Sequence, residues 1–175
     1  MPVLKHFLGK SQFDSDIHLD YRSSACGPVT VSVILRYLNI PMSRVSINEL
    51  YSLLGTTPIG LFTWRFVRKL RKLLGRDWEV STCSLSEVVI ELENGRPVAA
   101  KFDKWFTFHW RSQSEFSYHW VPVIGYEKVA DDVLLAVHDN GSPNSSSQVR
   151  YVSYRANQSV LTFVRITPKT ITKGH

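Results

Sequence analysis

Apolar residues in the first half of the chain recur at the three- and four-residue spacing of amphipathic helices. This spacing predicts helices at about 26–38, 46–54, 61–74 and 84–93. Pro28 stands in the first turn of the first helix, where its missing N–H costs least. Ser46 and Glu49 have the spacing of a capping box, which marks the start of the second helix.

The second half of the chain consists of short apolar runs bounded by turn residues, which is typical of β-strands. These runs lie at 97–102, 119–126, 133–138, 149–154 and 159–166, and a further short run lies at 78–82. Helices followed by antiparallel strands predict an α+β fold. A polar loop at 140–147 and an aromatic-rich segment at 104–118 interrupt the strands, and such segments often line binding clefts.

The composition agrees with a packed domain. The chain has 175 residues, a length typical of one domain, and needs neither a disulfide nor a metal ion to be stable. Cys26 and Cys83 are too few for a disulfide framework, and the N-terminus lacks the apolar core of a signal peptide. No run has the length of a membrane span. We therefore expect a cytoplasmic protein with reduced thiols and no membrane-spanning segment.

The charge of the chain is basic, with a formal net charge of +6. Much of the excess lies between Arg65 and Arg76, where apolar residues interleave the charges at helical spacing. This pattern is typical of an amphipathic helix whose charged face is solvated. Binding of nucleic acid to this segment is the less favoured interpretation of its charge.

The segment Ala25-Cys26-Gly27-Pro28 places a thiol at the predicted start of the first helix. Unpaired N–H groups at a helix N-terminus favour the thiolate, which is the nucleophilic form of cysteine. The alternative is a small apolar residue that begins a buried helix. The local sequence supports both interpretations of Cys26.

A histidine and a carboxylate are predicted to meet at one edge of the sheet. His119 begins one predicted strand and Asp139 follows the end of the next. If the two strands form a hairpin, the start of the first lies beside the end of the second. A cysteine nucleophile needs a base, and the base needs an acceptor that orients it. Cys26, His119 and Asp139 therefore predict a catalytic triad.

Four blocks of the sequence resemble, in their order, papain-like cysteine peptidases, and most closely those that process bacteriocins after double-glycine leaders. The blocks are 25–28 with the helix that follows, 94–98, 119–126 and 137–141. The resemblance covers about 19–166 and implies one papain-like α+β domain over residues 1–175, with its core in the matched range. It also implies a peptide or protein substrate, with Cys26 as nucleophile, His119 as base and Asp139 as the orienting residue.

The sequence departs from this family at the position of the oxyanion donor. The family usually has a glutamine shortly before the cysteine, and its side-chain N–H donates to the oxyanion. Asp20 stands six residues before Cys26 instead, and an ionised carboxylate has no donor. Gln12 is expected to be too far away in sequence. The remaining candidates are a protonated Asp20, the hydroxyls of Ser23 and Ser24, and the backbone N–H of Cys26.

Other candidate residues have simpler interpretations. Cys83 lacks the glycine-proline context and is expected to be structural. His109 and Trp120 are candidate substrate contacts, although ordinary packing is the commoner role of a loop histidine and Trp120 suits the core equally well. The cysteines and histidines do not have the spacing of a metal site, and no phosphate-binding loop is present, so we expect no metal and no cofactor.

Three functions remain open at the level of sequence. The leading hypothesis is a thiol hydrolase that cleaves a peptide amide bond through an acyl-enzyme. If an amine instead of water intercepts the acyl-enzyme, the protein is an acyltransferase. If there is no turnover, it is a peptide-binding module. The sequence indicates neither the identity of the substrate nor an oligomeric state.

Overall fold

The structure is a computed structural model that describes residues 3–104 and 118–169. Its helices are α1 (Cys26–Tyr37), α2 (Ile47–Leu53), α3 (Thr63–Leu74), α4 (Leu85–Glu93) and the short α5 (Tyr154–Asn157), with a 3₁₀ turn at Pro41–Arg44 between α1 and α2. Its strands are β1 (Trp78–Cys83), β2 (Val98–Asp103), β3 (Tyr118–Val129), β4 (Asp132–Asp139), β5 (Gln148–Ser153) and β6 (Leu161–Pro168).

The strands form one antiparallel sheet in the order β1-β6-β2-β3-β4-β5. The first strand, β1, pairs with the last strand, β6, from Trp78 opposite Pro168 to Cys83 opposite Phe163. The prediction of an α+β fold with an antiparallel sheet in the C-terminal half is confirmed. The sheet also takes in β1 from the helical half of the chain.

The sheet separates two apolar layers, because neighbouring residues of a strand face opposite sides. On one side, residues of α1, α2 and α3 pack with Ala99, Trp120 and Val164. On the other side, residues of α4 pack with Val121 and Phe163. Each layer has a core of its own, and α1 lies in the first.

Helix α1 is buried along most of its length, since every residue from Cys26 to Leu35 is buried. Gly27 allows a close approach to the segment before α3. A Cβ atom at this glycine would lie 2.8 Å from the Cβ of Leu61, which is closer than real side chains come. The glycine after the cysteine is therefore required by packing.

Helix α3 begins two residues later than the sequence predicts. Phe62 has an extended backbone, with ψ of 141°, and precedes the first helical residue. The carbonyl of Leu61 accepts hydrogen bonds from the Tyr118 hydroxyl at 3.1 Å and from the Trp120 indole at 2.8 Å. Because these side chains come from β3, periodicity within α3 does not reveal where the helix begins.

Helices α2 and α4 begin at a serine cap, and the sequence analysis predicts the first of these caps. The Ser46 hydroxyl accepts from the backbone N–H of Glu49 at 3.2 Å. Ser84 and Glu87 form a complete capping box at the start of α4. The short α5 replaces the end of a predicted strand, since the Ser153 hydroxyl accepts from the backbone N–H of Ala156 at 3.0 Å and turns the chain.

The predicted hairpin of His119 and Asp139 is confirmed. Strands β3 and β4 pair antiparallel, from Val123 opposite Val137 to Val129 opposite Asp132, with an irregularity in register between Val123 and Gly125. Within the described ranges, no helix is long and apolar enough to cross a membrane.

Candidate active site

Cys26 is the first residue of α1 and is buried, with 3% of its surface exposed. The preceding residue, Ala25, offers no side-chain cap to the helix, and the first turn contains no acidic residue. The helix N-terminus therefore keeps its positive partial charge beside the sulfur of Cys26. The Cys26 thiol is hydrogen-bonded to His119.

His119 lies between Cys26 and a carboxylate. Its Nε2 atom is 2.9 Å from Oδ1 of Asp139, which leaves Nδ1 as the ring nitrogen for the thiol. Burial by itself would lower the pKa of His119, but hydrogen bonds with Asp139 and Cys26 outweigh burial and raise the pKa to about 9. The ring is therefore an imidazolium at neutral pH.

Asp139 ends β4 and is held on both carboxylate oxygens. Besides His119, the backbone N–H of Gly141 donates to Oδ1 at 3.3 Å and Arg150 donates to Oδ2 at 3.2 Å. Burial would raise the pKa of Asp139, but the hydrogen bonds and charges of His119 and Arg150 lower it below its usual range. Asp139 therefore stays ionised and fixes the orientation of the imidazole.

Asn140 connects the elements that carry the site, and sequence reasoning assigned it only to a loop. It is buried, and its Nδ2 donates to the Cys26 carbonyl at 3.1 Å, the Trp120 carbonyl at 2.8 Å and the Thr30 hydroxyl at 3.1 Å. A buried amide with this many partners is a strong positional constraint. The available signal was an asparagine directly after the carboxylate at the end of a strand.

Gln12, which the sequence analysis set aside as too far from Cys26, lies near the carboxyl end of β4. The N-terminal segment returns to the end of β4, where the backbone N–H of Gln12 donates to the Asn140 carbonyl at 2.9 Å. The buried side chain donates from Nε2 to the Arg22 carbonyl at 2.7 Å. The amide faces a cavity of about 350 Å³ that is also lined by His119 and Asp139. Gln12 and His119 line the same cavity although they lie far apart in the sequence, so distance along the chain does not by itself exclude Gln12 as an oxyanion donor.

Asp20 lies at the protein surface. Its side chain is 85% exposed, and its ion-pair partner is His18, at 3.6 Å between Nδ1 and Oδ2. Among the described residues, it has no hydrogen bond or ion pair with the group formed by Cys26, His119 and Asp139. The expectation of an oxyanion position at Asp20 is corrected, because an exposed carboxylate beside a histidine does not form the wall of that site.

Trp120 belongs to the core. Its side chain is fully buried, stacks on Phe66 with 4.6 Å between ring centroids and donates its indole N–H to the Leu61 carbonyl. A substrate cannot reach a fully buried ring, which corrects the expectation of substrate contact. His109, the other candidate substrate contact, lies outside the described residues.

Both cysteines are free, and they differ in environment. Burial and, to a lesser extent, the negative charge of Glu87 raise the pKa of the Cys83 thiol to about 12. Cys83 is therefore a poor nucleophile. Within residues 3–104 and 118–169, no group of His, Cys, Asp and Glu is arranged to hold a metal ion.

One of two comparisons with known proteins gives a match. A family model described as the Peptidase_C39 like family matches residues 6–168, which include Gln12, Cys26, His119 and Asp139. A comparison with curated proteins gives no significant match. The family is one of papain-like cysteine peptidases that resemble the bacteriocin-processing enzymes. Its match covers most of the chain and runs through every element described above, so this protein belongs to the Peptidase_C39 like family.

Proposed function

We propose that this protein is a cysteine peptidase that cleaves a peptide amide bond through a covalent acyl-enzyme. The observation that carries the proposal is the hydrogen-bonded series from Cys26 through His119 to Asp139, which begins at a helix N-terminus. In this series Cys26 is the nucleophile, His119 is the acid and base, and Asp139 orients the imidazole. Membership of the family supports the reaction class.

Acylation begins from the ion pair of the Cys26 thiolate and the His119 imidazolium. The sulfur attacks the carbonyl carbon, and the electron pair of the C=O bond moves to oxygen, which becomes an oxyanion. As the intermediate collapses, the C–N bond breaks and the imidazolium gives its proton to the leaving nitrogen. The products of this step are a free amine, a thioester at Cys26 and a neutral His119.

Deacylation uses the same groups, with His119 now acting first as a base. Neutral His119 takes a proton from water while the water oxygen attacks the thioester carbon. Collapse of the second intermediate breaks the C–S bond and releases the acid. The thiolate and the imidazolium are then restored, so atoms and charges balance over the cycle.

The oxyanion needs donors, and two groups are candidates for this role. The first is the backbone N–H of Cys26, which lies in the first turn of α1, where N–H groups have no helical partner. The second is the Gln12 amide, whose second N–H has no hydrogen-bond partner among the described residues. Gln12 thus takes the role that the family resemblance gives to a glutamine nearer the cysteine.

Alkylation rates test the assignment of the nucleophile. Brief treatment with iodoacetamide, followed by mass spectrometry of the digested protein, should label Cys26 at least about tenfold faster than Cys83, whose thiol stays protonated. The His119→Ala variant should slow labelling of Cys26 and leave Cys83 unchanged. His18→Ala, which removes an exposed histidine, is the matched control. Equal labelling of the two cysteines would contradict the assignment.

Turnover is tested with a complex mixture of peptides. Incubation of the protein with a digested proteome should create new peptide termini, and Cys26→Ala should abolish them. Added amines that appear covalently in the products would show an acyltransferase instead of a hydrolase. Binding of peptides without any new termini would show a peptide-binding module.

A further inference from the structure

The N-terminal segment runs from β3 to the end of β4 before α1 begins, and we call residues 3–12 the strap. At one end, the backbone N–H of Leu4 donates to the Ile124 carbonyl at 2.7 Å. At the other end, the backbone N–H of Gln12 donates to the Asn140 carbonyl at 2.9 Å. Between these two bonds, no backbone hydrogen bond joins the strap to the rest of the described chain. Backbone hydrogen bonds therefore hold the strap only at its ends.

The middle of the strap packs on the ring of His138, which belongs to β4. A Cβ atom at Gly9 would lie 2.0 Å from Cε1 of this ring, so the strap backbone lies directly against it. Phe7 contacts both His138 and Tyr37 of α1, with 5.9 and 5.3 Å between ring centroids. Packing on one histidine ring therefore takes the place of hydrogen bonds in this part of the strap.

The strap has an unfavourable backbone conformation at one position and little buried surface. His6 has φ of 60°, which is uncommon for a residue other than glycine. Lys5 and His6 are exposed, and Leu8 is 71% exposed. Backbone strain and a small number of buried contacts lower the cost of releasing the strap while the rest of the fold stays intact.

His138 suits this contact only as a neutral ring. Its Nδ1 atom is buried and has no hydrogen-bond partner among the described residues. The neutral ring can leave this nitrogen without a proton, whereas an imidazolium places an N–H there without an acceptor. Burial also lowers the pKa of His138, and the backbone and charge of Asp139 only partly oppose this effect. The closed strap therefore disfavours protonation of the ring.

The groups around His138 offer little compensation for a positive charge. Asp139, on the same strand, is the charged group that raises its pKa, and the opposite residue on β5 is uncharged. From α1, Tyr37 contacts the strap, and Arg36 lines a cavity of about 280 Å³ together with His6 of the strap. A protonated His138 thus meets further basic groups and one carboxylate that is already paired with His119.

We propose that His138 is a pH-sensitive latch whose protonation releases the strap from the sheet. Release exposes the ring to water, so His138 in the open form titrates near pH 6.5. Because the open form binds a proton more tightly than the closed form, a fall in pH below about 6.5 favours the open form. Above this pH the ring is neutral in both forms, and the strap stays closed.

Release of the strap withdraws Gln12 from the candidate active site. Gln12 is the last residue of the strap and lines the cavity that also contains His119 and Asp139. Acid pH therefore removes a candidate oxyanion donor. This consequence for the site rests on the proposed function, whereas the latch itself does not depend on it.

Deuterium exchange of the Gln12 backbone amide, measured by NMR on the whole protein, tests the latch. Each rate is divided into that of an unstructured peptide of the same sequence at the same pH, which gives a protection factor. From pH 7.5 to 5.0 this factor should fall at least about fivefold, because Gln12 donates to Asn140 only in the closed form. The Leu50 amide, which donates to the Ser46 carbonyl in the core, should keep its protection.

Substitutions at the latch should change this response. His138→Phe keeps a ring against Gly9 but cannot bind a proton, so the protection of Gln12 should change less than about twofold. His138→Gln gives the same comparison if the phenylalanine variant does not fold. His18→Phe, which removes an exposed histidine, is the matched control and should respond as wild type does. Gly9→Ala should lower the protection of Gln12 already at pH 7.5, because its Cβ overlaps the ring.

Three results would overturn the inference. They are a constant protection of Gln12 in wild type, an equal fall at Leu50, and a response that persists in His138→Phe or is lost in His6→Gln. Exchange is measured without substrate, so failure to cleave peptides counts against the proposed function alone. If cleavage occurs, the ratio of kcat at pH 5.0 to kcat at pH 7.5 should be higher in His138→Phe than in wild type. Equal ratios would overturn the link between the latch and the site.

Discussion

His119 is the residue whose environment decides how the site responds to pH. Two hydrogen bonds, with Asp139 and Cys26, raise its pKa to about 9 against the opposing effect of burial. A histidine free of these contacts titrates near pH 6.5. Between about pH 6.5 and about pH 9, these two hydrogen bonds decide whether the His119 ring is protonated.

The pH profile of kcat/KM should show the raised pKa of His119 directly. The proposed ion pair needs the imidazolium, so activity should fall as pH rises through about 9. In Asp139→Asn, the amide replaces the charge that holds the proton, and the alkaline limb should move to lower pH. Arg155→Gln, an exposed change elsewhere, serves as the control and should leave the limb in place. An unchanged alkaline limb in Asp139→Asn would contradict this account.

The stability of the fold should follow the same titration. Because the pKa of His119 is higher in the folded state, its stabilising effect is complete below about pH 6.5 and is lost as pH rises through about 9. The difference in free energy of unfolding between wild type and Asp139→Asn, measured with urea, should therefore shrink over this interval. A difference that stays constant would show that the pair does not titrate in it.

We expect substitutions of Gln12 and of Asp20 to have different effects on kcat. If Gln12 donates to the oxyanion, Gln12→Ala should lower kcat by about 100- to 1,000-fold, with a small effect on KM. Asp20→Ala should leave kcat unchanged, because its carboxylate is exposed and pairs with His18. Circular dichroism checks that both variants fold. A large loss of kcat in Asp20→Ala would restore the expectation based on the sequence.

At the scale of elements, Asn140 joins the helix that carries the thiol to the strand that carries the histidine. Its amide bonds the Cys26 carbonyl of α1 and the Trp120 carbonyl of β3, and Asn140 itself follows β4. We therefore expect the separation of Cys26 and His119 to depend on this buried side chain.

Removal of the Asn140 amide should cost both stability and rate. Asn140→Ala removes the hydrogen bonds of a buried amide, a loss that typically costs about 1–3 kcal/mol, and urea denaturation measures it. Asn144→Ala, in the exposed loop after β4, is the matched control and should be close to wild type. If Asn140→Ala keeps wild-type kcat, the amide does not position the thiol and the histidine.

The elements also show which parts of the site the sequence could predict. Strand periodicity placed His119 at the start of one strand of a hairpin and Asp139 at the end of the other, so that the two lie side by side. The cysteine-glycine-proline segment placed Cys26 at the start of a helix. Both signals are local, and the structure agrees with them. The contacts of Gln12 and Asn140 could not be predicted in this way, because their hydrogen-bond partners lie on other elements. The spacing of residues along one element gives no information about such partners.

At the scale of the whole molecule, the fold class followed from the order of helices and strands, whereas the order of strands in the sheet did not. β1 was predicted as a short strand, but its pairing with β6 joins residues from opposite ends of the chain. A pattern of apolar residues defines an element and the face it buries, but not the strand beside it. The extent of the domain over residues 1–175 stays a prediction.

The position of the thiol and its partners along the chain has a consequence for synthesis. Cys26 leaves the ribosome long before His119 and Asp139 are translated, and the sheet that brings them together includes the last strand, β6. Domains fold as units during synthesis, so the thiol has neither its base nor its carboxylate while the chain is incomplete. On the proposed function, a nascent chain of this protein therefore cannot digest itself or its neighbours until translation of the sheet is complete.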